Sequence, residues 1–104
     1  MKKAQFDSYK IFFSAEPYKY RAMIGCYFKD ERVGSIKFFS AANTPEPHGY
    51  VNNQVLVSFS LDDFANVHSI LLHESPLYLC VSEDGTVGQL QSDPDELEPI
   101  GEEE

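Results

Sequence analysis

Apolar and polar positions alternate with a period of two along most of the first half of the chain. Between Tyr18 and Phe28 the even positions are apolar, whereas two of the odd positions, Lys19 and Arg21, are basic. This alternation predicts a strand with one buried face and one solvated face. A polar turn at 29–31 and a strand-like return over 32–39 predict a hairpin, and the apolar run at 9–13 predicts an earlier strand.

The second half of the chain contains one change of period. Residues 41–49 hold two prolines and predict a loop. After Ser60 the apolar residues recur at helical spacing until Pro76 ends the pattern. The Asp84-Gly85 pair is typical of a tight hairpin turn. The elements predicted here are a strand at 51–59, a helix near 61–74, and strands at 77–82 and 86–91.

The resulting order, β-β-β-β-α-β-β, predicts an α+β fold. Short turns between consecutive strands favour a mainly antiparallel sheet or a partly open barrel with one helix against it. We expect one domain over residues 1–91, followed by an acidic C-terminal tail at 92–104. Ten residues on apolar faces form the predicted core: Tyr20, Ile24, Phe28, Ile36, Phe38, Val57, Phe64, Leu71, Leu79 and Val81.

Charge is distributed very unevenly along the sequence. Residues 1–37 carry eight cations and four carboxylates, a balance of +4, whereas residues 38–104 carry 13 carboxylates and no cation. The net charge of −9 opposes binding to a phosphate backbone, so nucleic acid is disfavoured as a partner. We expect instead that the acidic part of the chain meets a basic protein surface.

The basic residues nevertheless share one strand face with an aromatic residue. This face contains Lys19, Arg21 and Lys29 with Met23 and Tyr27, and Lys37 of the returning strand lies beside them. Such a face is one way to bind single-stranded nucleic acid. The net charge favours a second interpretation, in which these cations are solvated and pair with the protein's own carboxylates.

The tail combines carboxylates with two apolar residues. Leu97 and Ile100 interrupt the acidic run, and with Glu98 and Glu102 they form a candidate partner-binding segment. The alternative is a solubilising tail whose two apolar residues pack on its own domain.

The sequence contains no catalytic or metal-binding motif with diagnostic spacing, so we assign no catalytic residue, metal ligand or cofactor. Asp62-Asp63 and Glu83-Asp84 lie at a predicted helix start and a predicted turn, where carboxylates are common for local reasons. A pocket near the helix, formed by His68, His73, Glu74 and Tyr78, remains as an enzymatic candidate.

Neither a secretory signal pattern nor a membrane-spanning apolar run is evident, so we expect a soluble, cytoplasmic protein, monomeric or homodimeric. Cys26 and Cys80 are expected to be free thiols, because cytosolic cysteines stay reduced. The alternating pattern directs Cys26 inward from its strand.

Two short segments carry a resemblance. Residues 71–79 are similar to a Leu-Arg-Asn-Glu-Lys-Pro-hydrophobic-Tyr segment, and residues 98–102 are similar to Glu-Pro-Val-Gly-Glu. Together they resemble a group of small uncharacterised bacterial proteins, although Leu72 and Ser75 replace the group's Arg and Lys. The resemblance implies a bacterial source and carries no function with it.

Two functional hypotheses follow from different classes. The first is a non-enzymatic binding or adaptor module that recognises a protein partner through its acidic C-terminal part. The second is a small hydrolase or ligand-binding enzyme with a pocket near the helix. The small size, the missing catalytic sets and the charge polarity favour the first.

Overall fold

Two β-sheets and one short helix make up the fold. The computed structural model describes residues 2–14, 20–41 and 46–92. A single 3₁₀ turn at Leu61–Asp63 precedes the helix. The elements are β1 (Lys2–Phe6), β2 (Ser8–Phe13), β3 (Ala22–Phe28), β4 (Glu31–Phe39), β5 (Gly49–Val51), β6 (Gln54–Ser60), α1 (Phe64–His73), β7 (Leu77–Val81) and β8 (Gly88–Ser92).

The strands form a three-stranded sheet in the order β1-β7-β8 and a five-stranded sheet in the order β2-β3-β4-β6-β5. Neighbouring strands are antiparallel, except that β4 and β6 are parallel. The predicted α+β class with mainly antiparallel pairing and one helix is therefore confirmed. The described strands do not close into a barrel.

The structure contains two more strands than the sequence pattern predicted. β1 was missed because Lys2, Lys3 and Gln5 are exposed and only Phe6 is buried, so no alternation marks the segment. Its strand conformation depends on pairing with β7, where Phe6 lies opposite Leu77. An edge strand of this kind is specified by tertiary contacts more than by local pattern.

The second missed feature is a turn inside the predicted strand at 51–59. Asn52 and Asn53 both have positive φ, at 53° and 64°, and they join β5 to β6 as a tight hairpin. Asparagine is among the residues that tolerate this conformation. The predicted hairpin between β3 and β4 is confirmed, with Lys29 and Asp30 in the same left-handed region.

The core lies between the inner faces of the two sheets, and Val67 and Leu71 of α1 cover one side of it. Three predicted core residues, Tyr20, Phe28 and Phe64, are only half-buried, because each lies at or just outside the end of an element. The other seven are buried as predicted: Ile24, Ile36, Phe38, Val57, Leu71, Leu79 and Val81.

Among the described glycines, Gly34 of β4 is the one at which a side chain of the small sheet comes closest to the backbone of the large sheet. A Cβ atom at this position would lie 2.6 Å from the Val55 carbonyl oxygen and 2.7 Å from Cδ1 of Leu79. The missing side chain therefore lets Leu79 of the small sheet pack directly on the backbone of the large sheet.

We expect Gly34→Ala to lower the free energy of unfolding by about 1–3 kcal/mol, because the added methyl group overlaps backbone that cannot move independently. Gly49→Ala is the matched control, since a Cβ there meets nothing within 4 Å. Denaturant melts of the two variants make the comparison. Equal stability of both variants would contradict the close packing of the sheets at Gly34.

The two cysteines are free and buried in the structure. Cys26 points inward, as the alternation predicted, and is fully buried. This burial raises the pKa of the Cys26 thiol to about 12, although the Arg32 charge partly opposes the rise. The thiol thus remains protonated in the folded chain at pH values where an exposed thiol ionises.

This raised pKa predicts a stability loss at alkaline pH. Above the ordinary thiol value of 9.0 the unfolded chain ionises while folded Cys26 keeps its proton until about pH 12. Unfolding then releases a proton, so stability falls as the pH rises, by about 1.4 kcal/mol per pH unit from this group. The measurement is the difference in unfolding free energy between the wild type and Cys26→Ala, which should fall across this window. A constant difference would contradict the assignment.

Candidate binding face

The outward face of the five-stranded sheet brings together three basic residues, of which the sequence analysis singled out Lys37. Ala22, Ile24 and Cys26 of β3 point into the core, so the alternate residues of that strand point away from it. Strand register places cations and aromatic rings side by side there. We call this surface the outer sheet face; its described members are Lys10, Phe12, Tyr20, Met23, Tyr27, Arg32 and Lys37.

The cations of the outer sheet face lie over aromatic rings. Lys10 Nζ is 5.9 Å from the Phe12 ring centre, and Arg32 Cζ is 5.5 Å from that of Tyr27. Lys37 Nζ is 5.1 Å from the ring centre of Tyr20. Two more such pairs, Lys2 with Tyr50 and Lys29 with Phe28, lie elsewhere. All five distances lie within the roughly 6 Å at which a cation is attracted to a ring face.

The predicted pairing of these cations with the protein's own carboxylates is found at one residue among those that the structure describes on this face. Lys37 does form an ion pair with Glu46 at 3.0 Å. Within the part of the chain that the structure describes, neither Lys10 nor Arg32 has a carboxylate within ion-pair distance. Among the other described carboxylates, Asp62 and Asp63 lie at the helix start and Glu83 and Asp84 lie in the turn after β7.

Gly25 makes room for the Arg32 guanidinium group. A Cβ at Gly25 would lie 3.2 Å from both Nε and one terminal nitrogen of Arg32 and 3.3 Å from Cε1 of Tyr27. The guanidinium group therefore lies close over the backbone of β3, beside the tyrosine ring. Its position on the sheet, instead of at the end of a mobile chain, lowers the entropy lost when it binds an anion.

Sequence reasoning found part of this face and missed the rest. Tyr27, Met23 and Lys37 were placed on it correctly by the alternation. Arg32 was missed because a register shift between Cys26 and Tyr27 places Arg32, two residues before Gly34, opposite Tyr27. Lys10 and Phe12 were missed because a sequence alone does not show that β2 pairs with β3.

Three other basic residues behave differently. Arg21 Nε donates a hydrogen bond to the Ser14 carbonyl oxygen at 3.1 Å. Lys29 lies in the β3–β4 turn with its ammonium group over Phe28. Lys19 lies outside the described residues, as do the predicted partner-binding residues of the tail: Leu97, Glu98, Ile100 and Glu102.

The four residues proposed for a pocket near the helix make separate contacts. His68 packs edge-on to Tyr9 and stacks on Phe64, with ring-centre distances of 6.5 and 6.0 Å. His73 Nδ1 is 2.9 Å from the carbonyl oxygen of Ser69, one turn back on α1. Glu74 lines a cleft of about 230 Å³ near β2. Tyr78 lies opposite Gln5 and Gln91 in the small sheet.

A cavity of about 370 Å³ does lie beside the helix, between α1 and β8. Its apolar wall is formed by Phe59, Val67, Ile70 and Leu90. Asp63 and Asn66 supply polar groups at its lining. The volume falls within the range of small-molecule sites, but the lining differs from the predicted set.

His48 joins the edges of the two sheets. Its Nδ1 accepts a hydrogen bond from the Ser58 backbone N–H at 3.1 Å, beyond the end of β5. A Cβ on Gly88 of β8 would lie 2.5 Å from the same atom, so the ring packs directly on that backbone. Because Nδ1 is an acceptor, the neutral ring carries its proton on Nε2. The contacts of His48 are those of a structural residue, although it also lines a polar cleft of about 300 Å³.

The carboxylates at turns have local partners, in agreement with their structural interpretation. Asp84 Oδ1 accepts hydrogen bonds from the Thr86 backbone N–H, the Thr86 hydroxyl and the Ser82 hydroxyl. These bonds, with that of the Thr86 backbone foremost, lower the pKa of Asp84 to about 2. Ahead of the helix the Asp62 N–H donates to Ser60 Oγ, which caps the 3₁₀ turn.

Comparison of the chain with protein-family models, curated proteins and solved structures finds no match. The resemblance of residues 71–79 and 98–102 to a bacterial group therefore stays an expectation. Among the residues that the structure describes, no helix is long and apolar enough to cross a membrane.

We expect His48→Ala to destabilise the fold by about 1–3 kcal/mol, because the Ser58 N–H loses its acceptor. His48→Asn is the matched control, since its side-chain oxygen can take the place of Nδ1, and it should retain more stability. Thermal melts at neutral pH provide the measurement. If the alanine and asparagine variants were equally stable, the hydrogen bond would have no measurable structural role.

Proposed function

We propose that the chain is a non-enzymatic protein-binding module whose outer sheet face binds acidic peptide segments that also carry apolar residues. The observation that supports this proposal is the presence of Lys10 and Arg32 beside aromatic rings, with no carboxylate paired to either among the described residues. A face of this kind offers both a partner for carboxylates and a surface for apolar side chains.

Charged contacts and apolar contacts contribute differently to binding at this face. Arg32 presents a planar group suited to bidentate binding of a carboxylate, whereas Lys10 is a more mobile point charge. Exposed ion pairs contribute only about 0–1 kcal/mol each, so they supply specificity and association rate more than affinity. Phe12, 37% exposed, and Met23 provide the apolar contacts. Each apolar side chain fully buried there would contribute about 1.5–3 kcal/mol.

Single-stranded nucleic acid is the competing ligand for a sheet face with cations and rings. The net charge of −9 favours the peptide, because a phosphate backbone adds one charge per nucleotide and meets increasing repulsion. A short peptide with a few carboxylates meets less repulsion, and its apolar side chains bind independently of charge.

The recognition of a basic protein surface through Leu97, Glu98, Ile100 and Glu102 remains part of the proposal, as do a bacterial source and a cytoplasmic location. The tail and the outer sheet face are complementary in charge, so one module has two surfaces that favour opposite partners. The alternative, a small hydrolase or ligand-binding enzyme, stays a prediction. The four residues named for it, His68, His73, Glu74 and Tyr78, make separate contacts.

Selection from a displayed random-peptide library tests the proposed function. The full-length chain should enrich acidic sequences with Leu, Ile or Phe between the carboxylates. The double variant Lys10→Gln/Arg32→Gln, which leaves the core unchanged, should lose this enrichment. Enrichment of the same peptides by both proteins, or of peptides without carboxylates, would contradict the proposal. Tight binding of labelled oligo(dT) at physiological salt would assign the face to nucleic acid instead.

A further inference from the structure

We propose that residues 93–104 of the chain itself bind the outer sheet face and compete there with acidic partners. The inference rests on the proposed function of that face and adds an internal ligand to it. Three observations carry it: the composition of the segment, the chemistry of the face and the position at which the described chain ends.

The composition of residues 93–104 resembles that of the acidic peptides proposed as ligands of the outer sheet face. Seven of its 12 residues are Asp or Glu, and it contains no Lys or Arg. Leu97 and Ile100 lie among the carboxylates and supply apolar side chains for the partly exposed Phe12 and the half-buried Met23. Lys10 and Arg32, which have no carboxylate partner among the described residues, match the acidic side chains.

The face is within reach of the segment. The described chain ends at Ser92, which is opposite Leu77, and Leu77 is opposite Phe6. The path from Ser92 to Tyr27 is roughly 20 Å long. It consists of two strand spacings of about 4.8 Å, the short link from Phe6 to Ser8, and one more strand spacing. Twelve extended residues span about 40 Å, so the segment can pass the edge of β2 and lie across the face.

The apolar cavity between α1 and β8 is a weaker site for the same segment. It is closer to the start of β8 than to Ser92, and its lining includes Asp63 but no cation. Bringing seven carboxylates beside Asp63 would be opposed by repulsion, whereas Arg32 and Lys10 attract them. Charge therefore selects the outer sheet face.

An internal ligand at this face would regulate the proposed function. An acidic partner protein would bind only by displacing residues 93–104, so its apparent affinity would be reduced by the fraction of chains in which the face is occupied. Weakening the internal contact should strengthen external binding without any change in the face itself.

Paramagnetic relaxation enhancement on the full-length chain tests the inference. A nitroxide is attached at Gly101→Cys, while Cys26 and Cys80 are protected by burial. Backbone amide signals of residues 10–12, 25–27 and 32 should broaden, and the broadening should be weaker in Lys10→Gln/Arg32→Gln. Leu97→Ser/Ile100→Ser should abolish it more completely than Glu102→Gln/Glu103→Gln/Glu104→Gln, because apolar burial supplies most of the binding.

A mixture of isotope-labelled chain without nitroxide and unlabelled chain with nitroxide separates the two possible origins. Broadening only within the labelled, nitroxide-bearing chain supports the same-chain contact. Broadening in the mixture of equal strength would overturn it in favour of a head-to-tail contact between copies. No broadening at these residues in either sample would also overturn it. Because peptide selection by the face is measured separately, failure here leaves the proposed function standing.

Discussion

The packing of Leu79 on the backbone at Gly34 determines how the two sheets meet. Once the small sheet lies against the inner face of the large one, both inner faces and the stripe of α1 are buried together. The other face of the large sheet is only partly covered, because Ser35 and Phe39 are buried there whereas Lys10 and Phe12 are exposed. The candidate binding face therefore follows partly from the core, because alternate residues of β3 point away from it, and a register shift adds Arg32.

On the outer sheet face, the basic side chains are placed over aromatic rings. The cations lie over the rings of Phe12, Tyr20 and Tyr27, and only Lys37 also meets a described carboxylate. A cation that lies over a ring can still bind an anion on its other side. The proposed role in recognition depends on this placement of Lys10 and Arg32 over aromatic rings.

The sequence predicted strands and side-chain directions correctly where burial produces a two-residue repeat. It failed where the pairing of strands determines the structure. The alternation over 18–28 located the buried face of β3 and the inward direction of Cys26, because both follow from the two-residue repeat of a strand. The same reasoning missed β1, which is polar and depends on β7, and the turn at Asn52-Asn53. Arg32 required knowledge of a register shift that leaves no mark in the pattern.

A charge-swap binding experiment tests the central claim most directly. A synthetic peptide with four glutamates around two leucines, and its counterpart with lysines, are titrated by calorimetry into the wild type and into Lys10→Glu/Arg32→Glu. The account predicts that the wild type prefers the glutamate peptide and that the double variant prefers the lysine peptide. The same order of preference for both proteins would contradict recognition at the outer sheet face.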